Sequence, residues 1–406
     1  MAQVFTTVIS IRMHDKSVRF YSAVGNDKGS IQMDSKQFKA KPFTDEFYQE
    51  FTKFLGDYGA SKPSYAGKAA KVTILVPDSL VLTDSVNIPG VNRKSLENLT
   101  SVAIQARYRN LAELRYNKFV SASNKQYSTI NVVVIRQKLL QGLYTCCSGS
   151  NMFANVLTYE SNAIVDGAIA LNSKLKNATF VLLDIKEGYS RMAYVVKGVT
   201  VGCFDLPFGF GILHDNKVVA ENMLFDHPVA ELAVINAKEK AKAKALTMMG
   251  GDNTENAETP EGAEPIEAES FDAEISFSND QNTVQRTVQI KTLPKKTPRV
   301  LPKFMQRPLP ETPEGFEAEN FRVFVKWTLE FIGGNPRLRE MGAVDTVYVN
   351  MPPRFDHLYD MVNQEKEENG VTFASLGLDK EKDLVARHLE LYGGLVAAQY
   401  NLNNNF

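Results

Sequence analysis

Strand-like apolar runs at 4–12 and 17–24 flank the short polar step Asp15-Lys16, so the chain opens with a predicted β-hairpin. A third strand is expected near 30–33. From 44 to 58 the spacing changes to helical, with Phe47, Phe51 and Phe54 recurring on one face. Gly59-Ala60-Ser61-Lys62-Pro63 then breaks the pattern. The run 72–77 is apolar except for Thr73, as in a buried strand, and 80–88 is a second strand stopped by Pro89-Gly90. A helix from 92 to about 109 puts Leu96, Leu99, Ala103 and Ala106 on one face, with Asn92 as its cap. Strands at 116–121 and 129–136 complete a unit too small for a catalytic domain, which reads as an inserted subdomain. Helices at 138–148 and 161–170 bracket a short strand at 156–158. Three strands follow at 178–184, 190–196 and 199–206, joined by the tight polar turns Lys186-Glu187-Gly188 and Lys197-Gly198. The segment 216–244 has helical spacing.

Between 249 and 315 the pattern is lost. Residues 251–274 hold nine acids and no Lys or Arg, whereas 281–307 hold seven bases and no acid. Such a composition predicts a solvated, disordered insertion, and its segregated charge suits a tethered docking segment. Order is expected again as a helix at 316–331, a buried strand at 344–350, a short helix at 357–365 and a last helix at 379–400. The elements thus form two similar α/β halves with a small insert in the first. The predicted domains are 1–70 plus 137–175 for the first half, 71–136 for the insert, and 176–248 plus 316–406 for the second half.

Composition narrows the function classes. The 406 residues carry 46 Lys+Arg against 47 Asp+Glu, a net charge of -1, which excludes a protein-wide basic footprint for nucleic acid. Cys146, Cys147 and Cys203 are too few for a disulfide framework, and no Cys or His spacing fits zinc. The N-terminus has no signal-peptide pattern, and apolar runs such as 132–135 fall far short of a membrane span. A cytoplasmic protein without direct membrane insertion is expected. Cys146-Cys147, Trp327 and the trio Phe204, Phe208 and Phe210 read as packing residues, and Arg12 and Lys186 as surface charges.

Four stretches carry a resemblance: VTILVPDSLVLTDSVNIP at 72–89, NVVVIRQ at 131–137, FANVLTYESNAIVDGAIA at 153–170, and TFVLLDIKEGYSRMAYVVKGVTVGCFDLPFG at 179–209. In this order and spacing they resemble the actin-like ATPase superfold, and within it the PilM family of type IV pilus assembly proteins, relatives of the cell-division protein FtsA. The resemblance implies an α/β, ribonuclease H-like duplicated fold with a small α+β subdomain inserted in the first half. It also implies a cleft where two hairpin turns close on the phosphates of ATP, with an Asp at each strand end positioning Mg²⁺. This chain departs from that pattern. Ser10-Ile11-Arg12-Met13-His14 lacks the Asp and Gly of the first turn. The second keeps Asp184, Gly188 and Ser190 but inserts Lys186 and Glu187. The resemblance also implies a late Gly-rich turn for the adenosine, and at its place Asn350-Met351-Pro352-Pro353-Arg354 has prolines that remove amide donors.

Asp184, Gly188, Ser190 and Arg12 are therefore the candidate vestigial nucleotide site, with Asp184 the position for Mg²⁺ if any is bound. Glu160, Ala163, Gly167, Gly393 and Gly394 are the candidate hinge-packing residues, because small residues let two helices approach closely. No catalytic residue is expected. The resemblance further implies a scaffold that binds the N-terminal cytoplasmic peptide of a PilN-like bitopic membrane protein, alongside other pilus assembly proteins at the inner face of the membrane; the degraded turns lead to the expectation that it does not hydrolyse ATP. An active ATP-binding protein and an FtsA-like division protein are the alternatives.

Overall fold

The computed structural model describes residues 5–13, 16–24, 32–60, 71–89, 93–108, 111–123, 126–150, 152–219, 310–334, 344–364 and 370–400. The expectations for the 249–309 segment, for most of the helix at 216–244 and for His14 lie outside the described residues. Those described fall into two compact units, one running to Leu213 and resuming at Phe321, the other holding 214–219 and 310–320. In the latter, Asn320 Nδ2 donates to the Asp215 carbonyl at 3.0 Å, and His214 Nδ1 lies 3.3 Å from the Glu317 carboxylate.

In the larger unit the opening hairpin forms as expected. Strands β1 (Phe5–Ile11) and β2 (Ser17–Val24) pair antiparallel, and β3 (Gln32–Gln37) extends the sheet. Helix α1 (Asp45–Ala60) buries Phe47, Phe51, Leu55 and Tyr58 against this sheet's core, with Phe47 stacked on Phe51 at 5.3 Å. Strand β4 (Lys71–Val76) then pairs parallel to β1, and β8 (Phe153–Tyr159) parallel to β4, giving the order β3-β2-β1-β4-β8. This corrects the expected boundary of the insert: residues 71–76 belong to the first half. Apart from Lys71 at its start and the buried Thr73, the strand is apolar because it lies inside a sheet buried on both faces.

The inserted module is therefore β5 (Val81–Pro89), α2 (Arg93–Arg107), β6 (Leu114–Ser123) and β7 (Tyr127–Arg136), a three-stranded antiparallel sheet ordered β5-β7-β6. Ile104 of α2 seals Ile88, Ile130, Val132 and Val134 on one sheet face. Helix α3 (Gln137–Gly149) returns the chain to the first half and buries Cys146 and Cys147 there.

Helix α4 (Glu160–Leu171) leads into a second sheet built like the first. Strands β9 (Phe180–Ile185), β10 (Ser190–Val196) and β11 (Val199–Leu206) are antiparallel, and β12 (Thr346–Asn350) and β13 (Thr372–Ser375) add parallel strands beside β9. Their order, β11-β10-β9-β12-β13, repeats that of the first sheet. Helix α5 (Pro313–Gly334) sets Trp327 at 6.3 Å from Phe204 and 6.4 Å from Phe208; Trp327 is half-buried there. Helix α6 is His357–Gln364. The expected single helix at 379–400 is two, α7 (Leu384–Arg387) and α8 (Leu389–Tyr400), broken at His388, whose φ is -126° and ψ 50°.

Helices α4 and α8 cross. Ile164, Val165 and Ala168 of α4 pack on Phe180, Leu182 and Val195 of the second sheet, while Leu391 and Leu395 of α8 pack on Val8 and Leu75 of the first. At the crossing a Cβ on Gly393 would sit 1.6 Å from the Ala163 carbonyl oxygen, and one on Gly167 would sit 2.9 Å from that of Leu389. Gly394 lies against Val8 in the same way, at 2.5 Å.

Candidate functional site

The ends of β1 and β9 and the starts of α4 and α8 meet in one place. Strand β1 delivers Ser10 and, just past its end, Arg12; β9 delivers Asp184 and, just past its end, Lys186. Each alternates with an apolar residue that anchors the strand, Ile11 or Ile185, so the polar side chains share one face. Arg191 enters from β10, Tyr189 from the turn before it, Glu160 and Glu390 from the first turns of α4 and α8. Ser10, Arg12, Glu160, Asp184, Arg191 and Glu390 are all buried.

Every one of these charges is paired. Arg12 donates to Glu390 Oε1 at 2.9 Å and to the Tyr189 hydroxyl. Lys186 Nζ reaches Glu390 Oε2 at 3.1 Å, the Arg387 carbonyl at 2.8 Å and Asp184 Oδ2 at 3.2 Å. Lys380 Nζ donates to Asp184 Oδ1 and the Ile185 carbonyl, both at 2.9 Å, and Asn350 Nδ2 donates to the same Oδ1 at 2.8 Å. Arg191 pairs with Glu160, which also accepts from Ser10 Oγ at 2.7 Å. The expectation that Arg12 and Lys186 are surface charges is thereby corrected: carboxylates from distant elements draw both inward.

The electrostatics follow from this pairing. Burial alone disfavours every charge. At Asp184 it is outweighed by Lys186 and Lys380, which hold the carboxyl below its usual range. At Glu390 it is outweighed by Lys186, His388 and Arg12, which hold that carboxyl well below. Burial is likewise overcome at Arg12 by Glu390, at Lys186 by Asp184 and at Arg191 by Glu160, so these cations are raised. Lys380 is the exception: burial, with repulsion from Lys186, outweighs Asp184 and brings the ammonium down to about 8.

Beside this cluster, Asp78 in the turn after β4 accepts the Ser161 backbone N–H at 2.9 Å and bonds the Ser161 hydroxyl, so it caps α4 from another element. Burial and the nearby Asp205 push its carboxyl up to about 8, against the pull of Arg191.

Of the predicted site residues, Arg12 and Asp184 join the cluster. Gly188 lies exposed on the turn with open space at its Cβ position, and buried Ser190 donates to the Phe208 carbonyl at 2.8 Å. Ala163, Gly167, Gly393 and Gly394 lie along the helix crossing, whereas Glu160 is an ion-pair partner. The sequence reading missed Glu390, Lys380, Asn350, Tyr189 and Arg191. A signal was present in the duplication: Ser10-Ile11-Arg12 matches Asp184-Ile185-Lys186, and Glu160-x-x-Ala163-x-x-x-Gly167 matches Glu390-x-x-Gly393-x-x-x-Ala397.

Two sheets of one order, three antiparallel strands then two parallel, linked by crossing helices, settle the architecture. The fold is actin-like. No known family profile matches the chain, and no curated protein matches it in sequence. Solved structures with a likeness to it include a PilM–PilN type IV pilus biogenesis complex (10% identity, 97% of this chain and 96% of that one, TM-score 0.48). The cytoplasmic domain of EpsL, an inner-membrane component of the Vibrio cholerae type II secretion system, is another (10%, 53% and 75%, TM-score 0.35). A third is a non-polymerising MamK mutant bound to AMPPNP (9%, 98% and 100%, TM-score 0.39).

ATP with Mg²⁺ is the group this superfold implies, and the residues present do not fit it. Asp184 has an ammonium within 3.2 Å of each carboxylate oxygen, so a divalent cation there would face two like charges. The first turn presents a guanidinium already committed to Glu390. Among the described residues, no three His, Cys, Asp or Glu side chains gather into a metal-holding group.

Proposed function

We propose that the chain is an actin-like scaffold that neither hydrolyses nor requires ATP. The observation that carries this reading is the double ammonium contact of Asp184, at 2.9 and 3.2 Å, where the superfold needs a carboxylate free for Mg²⁺. Detaching a lysine to admit the metal would leave a buried charge unpaired, a cost of about 3–5 kcal/mol. That cost is comparable to what a phosphate's charge-assisted hydrogen bonds return, about 1.5–3 kcal/mol each.

The scaffold reading draws its partner from the PilM-like order of the four sequence stretches. In it the chain serves a type IV pilus or related secretion machine, docking the cytoplasmic N-terminal peptide of a PilN-like bitopic protein together with other assembly proteins. Among the described residues no helix is long and apolar enough to cross a membrane, so attachment through such a partner suits the chain. A groove of about 480 Å³ between β6 and α3, lined by Arg115, Gln137, Leu140, Gln141 and Tyr144, adjoins the inserted module and offers the peptide polar and apolar contacts.

The test is co-purification of the full chain with the cytoplasmic peptide of its co-encoded bitopic protein, with and without Mg·ATP, alongside a phosphate-release assay. Retention that ignores nucleotide, lost on Leu140→Glu, and no phosphate release are the expected results. Turnover of ATP, or retention only with ATP, would overturn the reading.

A further inference from the structure

Each of the two crossing helices starts with a glutamate that touches both sheets. Glu390 at the start of α8 takes Arg12 from the first sheet at 2.9 Å and Lys186 from the second at 3.1 Å. Glu160 at the start of α4 takes Ser10 from the first sheet at 2.7 Å and Arg191 from the second. The two bridges are joined by the Tyr189 hydroxyl, which accepts from Arg12 and lies 3.4 Å from Arg191. The Tyr189 ring also carries both guanidinium groups, at 5.3 and 4.9 Å from its centroid. Both carboxylates sit at helix N-termini, where the backbone dipole favours negative charge.

The repetition of this pattern in the two halves argues that it is one device made twice. The motif of a glutamate followed at three and seven residues by Ala or Gly occurs at 160–167 and at 390–397. The small residues bring the helices into backbone contact, which places both glutamates over the seam. We propose that these paired glutamate bridges form a clasp that holds the two sheets closed on one another, so that closure is built into the chain rather than supplied by a bound ligand. The clasp rests on the scaffold reading above: it occupies the space where nucleotide and metal would otherwise tie the halves together.

Amide hydrogen exchange on the full chain, read by mass spectrometry, tests the clasp. Glu390→Gln keeps the shape and removes the charge. It should speed exchange tenfold or more in the segments 6–13 and 186–192, on either side of the seam, and leave the sheet of the inserted module unchanged. Glu160→Gln should do the same. Tyr189→Phe removes only the linking hydroxyl and should give a smaller acceleration in the same segments, which keeps the test usable if either glutamine variant fails to fold. Acceleration spread evenly over the chain, or none at the seam, would overturn the clasp. If Mg·ATP restored protection to Glu390→Gln, the clasp would stand and the nucleotide-free scaffold reading would fall.

Discussion

Asp78 shows how a buried residue can change role with its protonation. Its carboxyl, pushed up to about 8 by burial and Asp205, holds a proton in the folded chain at pH 7 that the unfolded chain has released. Between the ordinary value near 3.8 and about 8 the native state therefore binds more protons, so this group's contribution to stability falls as pH rises and levels off above 8. Asp78→Asn keeps an acceptor for the Ser161 amide and a donor for its hydroxyl while removing the titration. Urea denaturation at pH 5, 7 and 9 should show the variant gaining on the parent as pH rises, by no more than about 1.4 kcal/mol per pH unit. Parallel profiles would contradict the assignment. This role has no local signature, because Asp78 reaches Ser161 across 83 residues. The burial of Arg12 and Lys186 is hidden for the same reason: Glu390 lies 378 and 204 residues away from them. Periodicity reports which face of an element is apolar, and it carries nothing about a charge neutralised from another part of the chain.

The α4–α8 crossing makes a sharper prediction at the level of elements. A glycine inside a helix costs about 1 kcal/mol against alanine, so Gly393→Ala should stabilise unless packing forbids it. The new Cβ would lie 1.6 Å from the Ala163 carbonyl oxygen, a backbone atom that cannot step aside. Thermal unfolding should report a net loss of about 3 kcal/mol or more. Gly188→Ala, with nothing within 4 Å, should be neutral or slightly stabilising. Equal effects at both positions would remove the crossing from the account. In the inserted module, Ile104→Ala opens a core position of 0% exposure and should cost about 2–5 kcal/mol, read as faster exchange in β5 and β7 with the helix crossing unaffected. Elements with strong periods, such as α1 with its phenylalanines, were legible in the sequence to within two residues. Strand β13 was not: four residues long, Thr372–Ser375 is too short to show a period. The break at His388 was also hidden, since the residues around it keep helical spacing. Strand β4 is legible as a strand but not in its place beside β1, because an apolar run tells that a strand is buried and not which strands flank it.

Duplication is what makes the whole molecule intelligible. Two sheets of one strand order, two crossing helices and two glutamates over the seam recur in the two halves, and each of these glutamates is paired with a cation. The repeated halves are visible in the sequence as alternating hairpins and helices, and the departure of the turns from the nucleotide-binding pattern as a missing Asp and Gly, inserted charges and two prolines. The pairs that support a scaffold independent of nucleotide appear only in the structure: Lys186 and Lys380 hold Asp184, and Arg12 and Arg191 hold Glu390 and Glu160. Calorimetric titration of the full chain with Mg·ATP tests this most directly. The account predicts no saturable heat at millimolar nucleotide and the same trace for Asp184→Ala. Stoichiometric binding that Asp184→Ala abolishes would contradict it.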